Sequence, residues 1–278
     1  WAVGSDCRYD PERFELDAGA PAQDEAWSIS FLSPMATFLR FEGIEPFVAP
    51  TPETLFVPDQ AVEPHMIPEP EGDAPSRVQS PLADGEEALA LPPEVGLALA
   101  SPDGTPLLNE VEGTVEMWLR DTRRPTDLHN RTILRCGGLH LYRRIGVGTY
   151  LYLGAPGHQT GLVLPPGRWA HLAATWKPST KQPGQTEVAL FIDGVRVETS
   201  YNRHLAPEAG WAGAELLIPA QTAGLYLDEL RVSDVARYDA SFEPPREPFT
   251  SDANTLVLSR FDDDTALVRG AEVTWQRR

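Results

Sequence analysis

The sequence predicts an all-β fold, an antiparallel β-sandwich, and two alternating segments are the main evidence. Residues 188–192 alternate at the two-residue period of a strand, with aliphatic side chains at positions 188, 190 and 192 on one face. Asp193-Gly194 follows at once and supplies the positive φ angles of a two-residue hairpin turn. Residues 113–120 alternate in the same way, and their apolar face carries Val115, Met117 and Leu119.

Length and charge limit the classes of protein to which the chain can belong. Its 278 residues suffice for one large β domain or two small ones. The 41 acidic residues outnumber the 23 basic ones, which gives a formal net charge of -18. Phosphate binding depends on clusters of Lys and Arg, so this composition argues against a nucleic-acid partner. An acidic surface suits a cationic partner or divalent ions, or it serves solubility alone.

No stretch of the sequence predicts a membrane span. The longest mostly apolar run, near residues 27–41, is interrupted by serines, a proline and a threonine, and falls short of the ~20 apolar residues that cross a bilayer. The chain begins at Trp1, which we interpret as a processed mature terminus or as the start of a fragment. We expect an extracytoplasmic protein, in the periplasm, at the cell surface or secreted, that can lie at the periphery of a membrane complex.

Cys7 and Cys136 are the only cysteines in the sequence. Two cysteines are too few for a disulfide scaffold or a zinc cluster. Two alternatives stay open: a disulfide between them in an oxidising compartment, or two inert reduced thiols.

Composition divides the chain into three regions. Residues 1–36 are an irregular N-terminal arm with scattered charge, several prolines and no sustained periodicity. The main domain is expected over residues 37–262, beginning with T-F-L-R-F-E-G, and the frequent prolines make residues 45–75 a surface connection. The similar segment T-L-V-L-S-R-F-D-D at Thr255 is either a closing strand or the stub of another repeat. Residues 263–278 are expected to be a C-terminal tail.

Two segments carry motifs of a known family. Residues 168–197 contain R-W-A-H-L-A-A-T-W and F-I-D-G, and residues 225–238 read L-Y-L-D-E-L-R-V-S-D-V-A-R-Y. They resemble the W-x-H-[LV]-A-x-T-[WY] strand, the L-Y-[VI]-D-G hairpin and the I-D-E-[VF]-R-[IV]-S-x-x-A-R-[YW] signature of laminin-G-like, concanavalin A-like jelly-roll domains. The resemblance covers residues 37–262 and implies two packed sheets with recognition loops along the rims. It also implies structural roles for Trp118, Trp169, His171, Trp176, Asp193 and Gly194, with Trp118 packed inside the sandwich.

Three acids are the best candidates for catalysis, because related sandwiches include glycoside hydrolases. Those enzymes need two carboxylates about 5 Å apart, or farther apart for inversion. Glu110, Glu112 and Glu116 lack the E-x-D-x-x-E arrangement of the glucanases, so we interpret them as solvated positions at a strand start. The six histidines occur singly, with no G-x-S-x-G motif nearby, and His171 is expected to be a structural, hydrogen-bonded residue. No catalytic residue is assigned.

Calcium is the one metal that the resemblance implies, because family members often bind it at a sandwich rim through carboxylate and carbonyl oxygens. Asp262 and Asp264 follow the last predicted strand and are the candidates for such a structural site. Neither lies in a recognisable ligand loop. No cofactor other than this structural calcium is expected.

Two further groups of side chains have expected positions. Asp228 is placed on the face of Leu230 and Val232, which predicts a buried carboxylate whose hydrogen bonds tie the strand to a loop. A set of aromatic residues either forms a platform for sugar rings or packs in the core and at the rim: Tyr142, Tyr150, Tyr152, Trp211 and Tyr226.

These observations predict a non-catalytic interaction module that binds a protein or glycan surface through its rim loops and N-terminal arm. One alternative is a structural accessory subunit that stabilises a larger surface or membrane-attached complex. Another is a glycoside hydrolase or lyase, which the missing acid pair disfavours.

Overall fold

The computed structural model describes residues 27–30, 38–41, 70–82, 86–122, 131–144, 148–154, 157–159, 164, 167–197, 204–220 and 224–278. Within these ranges every regular element is a β-strand, every strand pairing is antiparallel, and no helix occurs. No helix of the described residues is therefore long and apolar enough to cross a membrane.

The strands follow the chain in this order: β1 Trp27–Ser30, β2 Phe38–Phe41, β3 Ser76–Gln79, β4 Glu87–Leu91, β5 Leu97–Ala100, β6 Gly113–Asp121, β7 Arg131–Cys136, β8 Leu139–Arg144, β9 Gly148–Leu153, β10 Gly157–Gln159, β11 Trp169–Pro178, β12 Thr186–Ile192, β13 Val195–Arg196, β14 His204–Leu205, β15 Glu215–Ile218, β16 Leu225–Ser233, β17 Thr255–Ser259, β18 Thr265–Val268, β19 Ala271–Thr274 and β20 Gln276–Arg277.

The chain forms two compact units, Trp1–Gln60 and Ala61–Arg278. In the first, β1 pairs with β2, with Trp27 opposite Phe41. The T-F-L-R-F-E-G segment that was expected to open the main domain lies in this unit, so the structure places the division later than residue 37. The predicted edge strand at residues 54–57 lies outside the described residues.

The second unit contains two antiparallel sheets. Its larger sheet has eleven described strands, with β13-β12-β11-β6-β16-β17-β18-β19 as its main path and β14, β3 and β4 as branches. The smaller sheet has seven, in the order β10-β9-β8-β7-β15-β5-β20. Strand β16 is central to the larger sheet, because one edge pairs with β6 while the other pairs first with β4 and then with β17.

The two sheets pack face to face around one apolar core. Leu139 and Leu141 of the smaller sheet and Met117 and Leu172 of the larger one are each at most 2% exposed and belong to the same cluster. Each leucine contributes about 1.5–3 kcal/mol when it is fully buried, so this layer is the main source of stability. The prediction of an antiparallel β-sandwich is confirmed.

A β-bulge in β16 reverses the predicted alternation of its side chains. The register against β6 shifts between Asp228 and Arg231, and Glu229 has a φ angle of 50°. Because the bulge adds one residue, Leu227 and Leu230 both reach the core. Asp228 is therefore not on the face of Leu230 and Val232 as the sequence pattern predicted, although it is buried.

A cover segment, residues 234–249, crosses the outer face of the larger sheet. Tyr238 and Phe242 of this segment pack on the outward side chains of Ala173, Ala189 and Phe191. The two cover rings stack on each other with centroids 3.6 Å apart. The outer face of this sheet is therefore partly buried, which a two-layer prediction did not include.

Residues 255–278 complete both sheets. Strand β17 pairs with β16 and β18, so the T-L-V-L-S segment is a closing strand and not the stub of a repeat. The predicted tail, residues 263–278, differs from the structure, because it forms β18, β19 and β20. Its Trp275 is 6% exposed, and its Nε1 donates to Ser259 Oγ over 3.0 Å. Polar turns separate these short strands and hide their alternation in the sequence.

Candidate functional site

A groove lies on the outer face of the smaller sheet, and we call it the tyrosine groove. It encloses about 490 Å³. Its lining consists of residues of β7, β8 and β9, together with glycines of the adjoining turns: Arg131, Thr132, Arg135, Gly137, Gly138, His140, Tyr142, Tyr152 and Gly154.

Strand alternation places Arg135, His140 and Tyr152 on one surface. On β8, Leu139 and Leu141 are buried, so the alternate residues His140 and Tyr142 face outward. The register sets Arg135 of β7 opposite His140, and His140 opposite Tyr152 of β9. One row across three strands therefore carries a guanidinium, an imidazole and a phenol.

The turn between β7 and β8 closes one end of the groove and depends on glycine. Gly137 has a φ angle of 56°, and a Cβ atom at this position would overlap the carbonyl oxygen of Trp211. The next amide, Gly138 N, donates to the same oxygen over 2.6 Å. A larger residue at position 137 would displace the turn.

Two tyrosines form an aromatic pair in the groove. The rings of Tyr142 and Tyr152 stack with centroids 5.5 Å apart and an interplanar angle of 16°. Their hydroxyls are 3.3 Å apart, and both residues are half-buried. The ring of His140 lies 5.1 Å from the Tyr142 ring. The result is a partly accessible aromatic surface edged by polar groups.

The groove is cationic although the chain is acidic. Its described lining contains Arg131, Arg135 and His140 and no carboxylate. Burial lowers the pKa of His140, and the charge of Arg135 lowers it further. His140 Nε2 and Thr132 Oγ1 are 2.5 Å apart, so a neutral imidazole shares a hydrogen bond with the threonine. The exposed positive charge of the groove at neutral pH is therefore that of Arg135.

The five aromatic residues that the sequence grouped as a platform separate in the structure. Tyr142 and Tyr152 meet in the tyrosine groove. Trp211 is 5% exposed and packs edge-on against Trp176 in the core. Tyr226 lies on the outer face of the larger sheet, edge-on to Trp169 with centroids 6.2 Å apart. The side chain of Tyr150 lies outside the described residues.

The three acids considered for catalysis bind different parts of the protein. Glu110 accepts hydrogen bonds from Gly210 N and Ala212 N over 3.0 and 2.8 Å. Glu112 accepts from Ala236 N over 3.0 Å and thereby holds the start of the cover segment. These carboxylates stabilise loops, and the prediction that they are merely solvated positions is incomplete.

Glu116 is fully buried beneath the cover segment at the centre of a polar cluster. Its Oε1 accepts from Arg231 Nε over 2.8 Å, and its Oε2 accepts from the Tyr238 hydroxyl over 2.7 Å. Burial opposes ionisation, but contact with His171 and the charge of Arg231 outweigh this effect and lower the pKa of Glu116. The carboxylate therefore stays charged and links the sheet to its cover.

His171 lies beside this cluster and is also fully buried. Its Nε2 is 3.3 Å from Glu116 Oε2, within ion-pair distance, but neither ring nitrogen has hydrogen-bond geometry to a partner in the described part of the chain. The rings of Trp118, Phe242 and Phe249 surround it edge-on. His171 is thus packed among aromatic rings, which differs from the hydrogen-bonded role expected.

Other residues with expected structural roles are divided between the two faces of the larger sheet. Trp176 is fully buried between the sheets, and its Nε1 donates to Asn109 O over 2.8 Å. Trp118 and Trp169 lie on the outer face, so Trp118 does not pack inside the sandwich. The outward position follows from its alternation with the core residues Met117 and Leu119.

The Asp193-Gly194 turn has φ angles of 50° and 72°, the positive values expected from the sequence. Asp193 Oδ1 accepts from His171 N over 3.0 Å, and Oδ2 accepts from Arg168 over 2.7 Å. A Cβ atom at Gly194 would overlap the carbonyl oxygen of Phe242. The hairpin therefore anchors the cover segment as well as reversing the chain.

Asp228 and Glu229 are neighbouring buried carboxyls, 1% and 2% exposed. Asp228 Oδ2 accepts from Ser80 Oγ over 2.5 Å, which ties β16 to the segment after β3. Burial raises the pKa of Asp228 to about 7 and the pKa of Glu229 to about 7. The charge of Asp228 adds to the shift of Glu229.

Asp262 and Asp264, the residues considered for calcium, are engaged by groups of the protein itself, and the calcium site stays a prediction. Asp264 Oδ1 pairs with Arg77 over 2.6 Å, and Asp262 Oδ1 accepts from Glu87 N over 3.3 Å. The described residues contain no group of three or more His, Cys, Asp or Glu side chains placed to hold a metal.

Cys136 is a buried thiol whose Sγ donates to Gly213 O over 3.3 Å. Burial raises the pKa of this thiol to about 12, so it is not reactive at neutral pH. Cys7 lies outside the described residues, and the disulfide between Cys7 and Cys136 stays a prediction.

Comparison with protein families identifies the family to which this β-sandwich belongs. A laminin G model, described as the concanavalin A-like lectin/glucanases superfamily, matches residues 96–241, just over half of the chain. The chain belongs to this superfamily, which confirms the resemblance found in the sequence. A search of curated proteins gave no match.

Solved structures with a similar fold share little sequence with the chain. A Bacteroides ovatus protein described as carbohydrate binding is 15% identical, with a TM-score of 0.49, and 69% of this chain covers 59% of that one. The botulinum neurotoxin DC binding domain, in complex with rat synaptotagmin II, is 8% identical with a TM-score of 0.44, and 59% of this chain covers 42% of it. Domain 4 of the Geobacillus stearothermophilus arabinanase AbnA, in complex with arabinotriose, is 17% identical with a TM-score of 0.38, and 60% of this chain covers 78% of it.

Proposed function

We propose that the chain is a non-catalytic carbohydrate-binding module and that the tyrosine groove is its binding face. The observation that carries this proposal is the stacked pair Tyr142–Tyr152 beside polar side chains in a groove of about 490 Å³. An aromatic face is electron-rich, and the C–H groups on one side of a sugar ring pack against such a face. The hydroxyls of the same sugar require hydrogen-bonding groups at the margin of the ring, and Arg135, His140 and Thr132 supply them.

The absence of a catalytic role is part of the proposal. Glycoside hydrolysis needs two opposed carboxyl groups, and the described lining of the groove contains none. Glu112 and Glu116 hold the cover segment through Ala236 N and Tyr238. The proposal therefore assigns binding without hydrolysis.

The location and the assembly of the module also belong to the proposal. A sugar-binding surface on an acidic protein suits the periplasm, the cell surface or the medium, where polysaccharides occur. The alternative of an accessory subunit depends on the arm of residues 1–36 and on the proline-rich stretch, and only residues 27–30 of that arm are among the described residues. Its test is whether native material retains partner proteins when the sugar-binding face is altered.

Binding to a polysaccharide panel, measured by affinity electrophoresis and calorimetry, tests the assignment. Tyr142→Ala and Tyr152→Ala should each weaken binding by about tenfold or more, since each removes half of the aromatic surface. Tyr152→Phe keeps the ring and should keep most of the affinity. Thermal melting of each variant separates loss of binding from loss of the fold.

Two results would contradict the proposal. Affinity that survives both alanine substitutions would move the site elsewhere. Reducing ends released from any polysaccharide, and abolished by Glu112→Gln or Glu116→Gln, would restore the hydrolase alternative.

A further inference from the structure

We propose that the tyrosine groove selects acidic oligosaccharides, with Arg135 as the contact to a uronate carboxylate. This inference rests on the proposed carbohydrate-binding function and adds the class of sugar. It follows from the charge of the groove, the position of one guanidinium and the distance from that guanidinium to the aromatic pair.

The sign of the groove is opposite to that of the whole chain. Acidic residues outnumber basic ones by 41 to 23, yet the groove presents the exposed Arg135, and its described lining contains no carboxylate. A surface of net charge -18 repels polyanions in general. A groove with an exposed guanidinium and no carboxylate in its described lining is complementary in charge to an acidic ligand.

Arg135 is the group that an incoming anion meets. Its side chain is exposed, and among the described residues it forms no ion pair. Arg131, by contrast, is 7% exposed, so its charge is not offered to an incoming ligand. A guanidinium presents a planar fork of N–H donors that matches the two oxygens of a carboxylate.

His140 does not compete for the anion as a second cation. It lies directly opposite Arg135 in the strand register, and burial together with that arginine's charge lowers its pKa. A neutral imidazole held by Thr132 offers a hydrogen bond and no charge. The groove thus combines one exposed guanidinium with neutral polar groups, which suits a single carboxylate per sugar.

The spacing fits a chain of sugars and not an isolated ion. Arg135 and Tyr152 are two strands apart in the same row, which corresponds to about 10 Å across a β-sheet. A sugar ring stacked on the tyrosines therefore leaves Arg135 to a carboxylate at the edge of that ring or on the neighbouring unit. Both contacts belong to one oligosaccharide.

The experiment compares acidic oligosaccharides with their own methyl esters. Galacturonate, glucuronate and mannuronate oligosaccharides are titrated by calorimetry, each beside its fully esterified form and a neutral oligosaccharide of equal length. The wild type should bind one acidic form about tenfold more tightly than its ester, and higher salt should reduce the difference. Arg135→Gln should abolish the preference, so that the acid and its ester bind this variant with equal affinity.

Arg246→Gln is the matched control, because Arg246 is 82% exposed on the cover segment's side of the molecule and its loss changes the net charge equally. This variant should keep the preference. Equal binding of acid and ester would overturn the inference and leave the proposed function intact. Binding of no sugar would overturn both the inference and the proposed function. A preference that survives Arg135→Gln would place the selecting charge elsewhere.

Discussion

The amide of Phe249 donates to the buried Oε2 of Glu229 over 2.6 Å. The carboxylate stands at the bulge of β16, and the amide ends the cover segment. On the other side of Phe249, Arg260 donates to its carbonyl oxygen over 3.1 Å. The ring of Phe249 lies over the Arg231 guanidinium at 4.3 Å. In a regular strand the side chain of Glu229 would point into the core. Because of the bulge it points to the cover segment instead.

The pair Asp228 and Glu229 predicts that stability decreases as pH rises. Both pKa values are raised to about 7, mainly by burial, so the folded state holds these protons more tightly than the unfolded state. The contribution of these two groups to the free energy of unfolding is complete below about pH 4 and is lost as the pH rises through about 7. Between these limits the wild type should lose at least about 2 kcal/mol relative to the variant Asp228→Asn/Glu229→Gln.

The measurement is the free energy of unfolding by denaturant at several pH values. Glu243→Gln/Glu272→Gln removes two exposed acids and should keep the wild-type slope. An identical pH profile in the wild type and the Asp228→Asn/Glu229→Gln variant would show that the two buried carboxyls do not titrate in this range.

Removal of the Asp228 side chain should destabilise the fold by about 1–3 kcal/mol, because the hydroxyl of Ser80 loses its buried acceptor. Asp228→Asn retains an acceptor oxygen and should cost less than Asp228→Ala. Chemical denaturation of both variants at neutral pH measures the difference. Equal stability of wild type and alanine variant would mean that water replaces the carboxyl without loss.

Trp176→Ala should cost about 3–5 kcal/mol, because it opens a cavity between the sheets and removes the donor to Asn109 O. Trp169→Ala is the matched control, since Trp169 is only half-buried and lies on the outer face, and it should cost clearly less. Equilibrium unfolding followed by circular dichroism measures both. A loss for Trp176→Ala no larger than for Trp169→Ala would contradict the core position.

Glu116→Ala should destabilise by about 3–5 kcal/mol, because it leaves the Arg231 guanidinium largely buried without its carboxylate. Tyr238→Phe removes one hydrogen bond to the same carboxylate and should cost about 1.5–3 kcal/mol. Limited proteolysis should cleave the cover segment faster in both variants. Unchanged protection of residues 234–249 would show that other contacts hold the segment.

The sequence predicted the sheets better than it predicted their outer faces. The alternation in β6 and β12 and the Asp193-Gly194 turn were sufficient to predict an antiparallel sheet, because one face of each strand is apolar. The bulge at Glu229 was not visible, since no residue in L-Y-L-D-E-L-R-V demands an extra position. The cover segment escaped prediction because its anchors, Tyr238, Phe242 and Phe249, are spaced without a period.

The groove was only partly predictable. Tyr142 and Tyr152 appeared in the sequence among five aromatic candidates, but nothing in their spacing separated them from the buried Trp211. Arg135 and His140 were not singled out, because a cation at an outward strand position is ordinary. Their significance depends on the register of β7, β8 and β9, which brings residues from three strands into one row.

Strand β16 also sets the order in which the molecule can be completed during synthesis. Its neighbours β4 and β6 leave the ribosome more than a hundred residues earlier, and they have no partner along one edge until residues 225–233 emerge. Such late, long-range closure makes folding slow and leaves apolar edges available to other chains in the meantime. Nascent protein halted before residue 225 should therefore depend on chaperones.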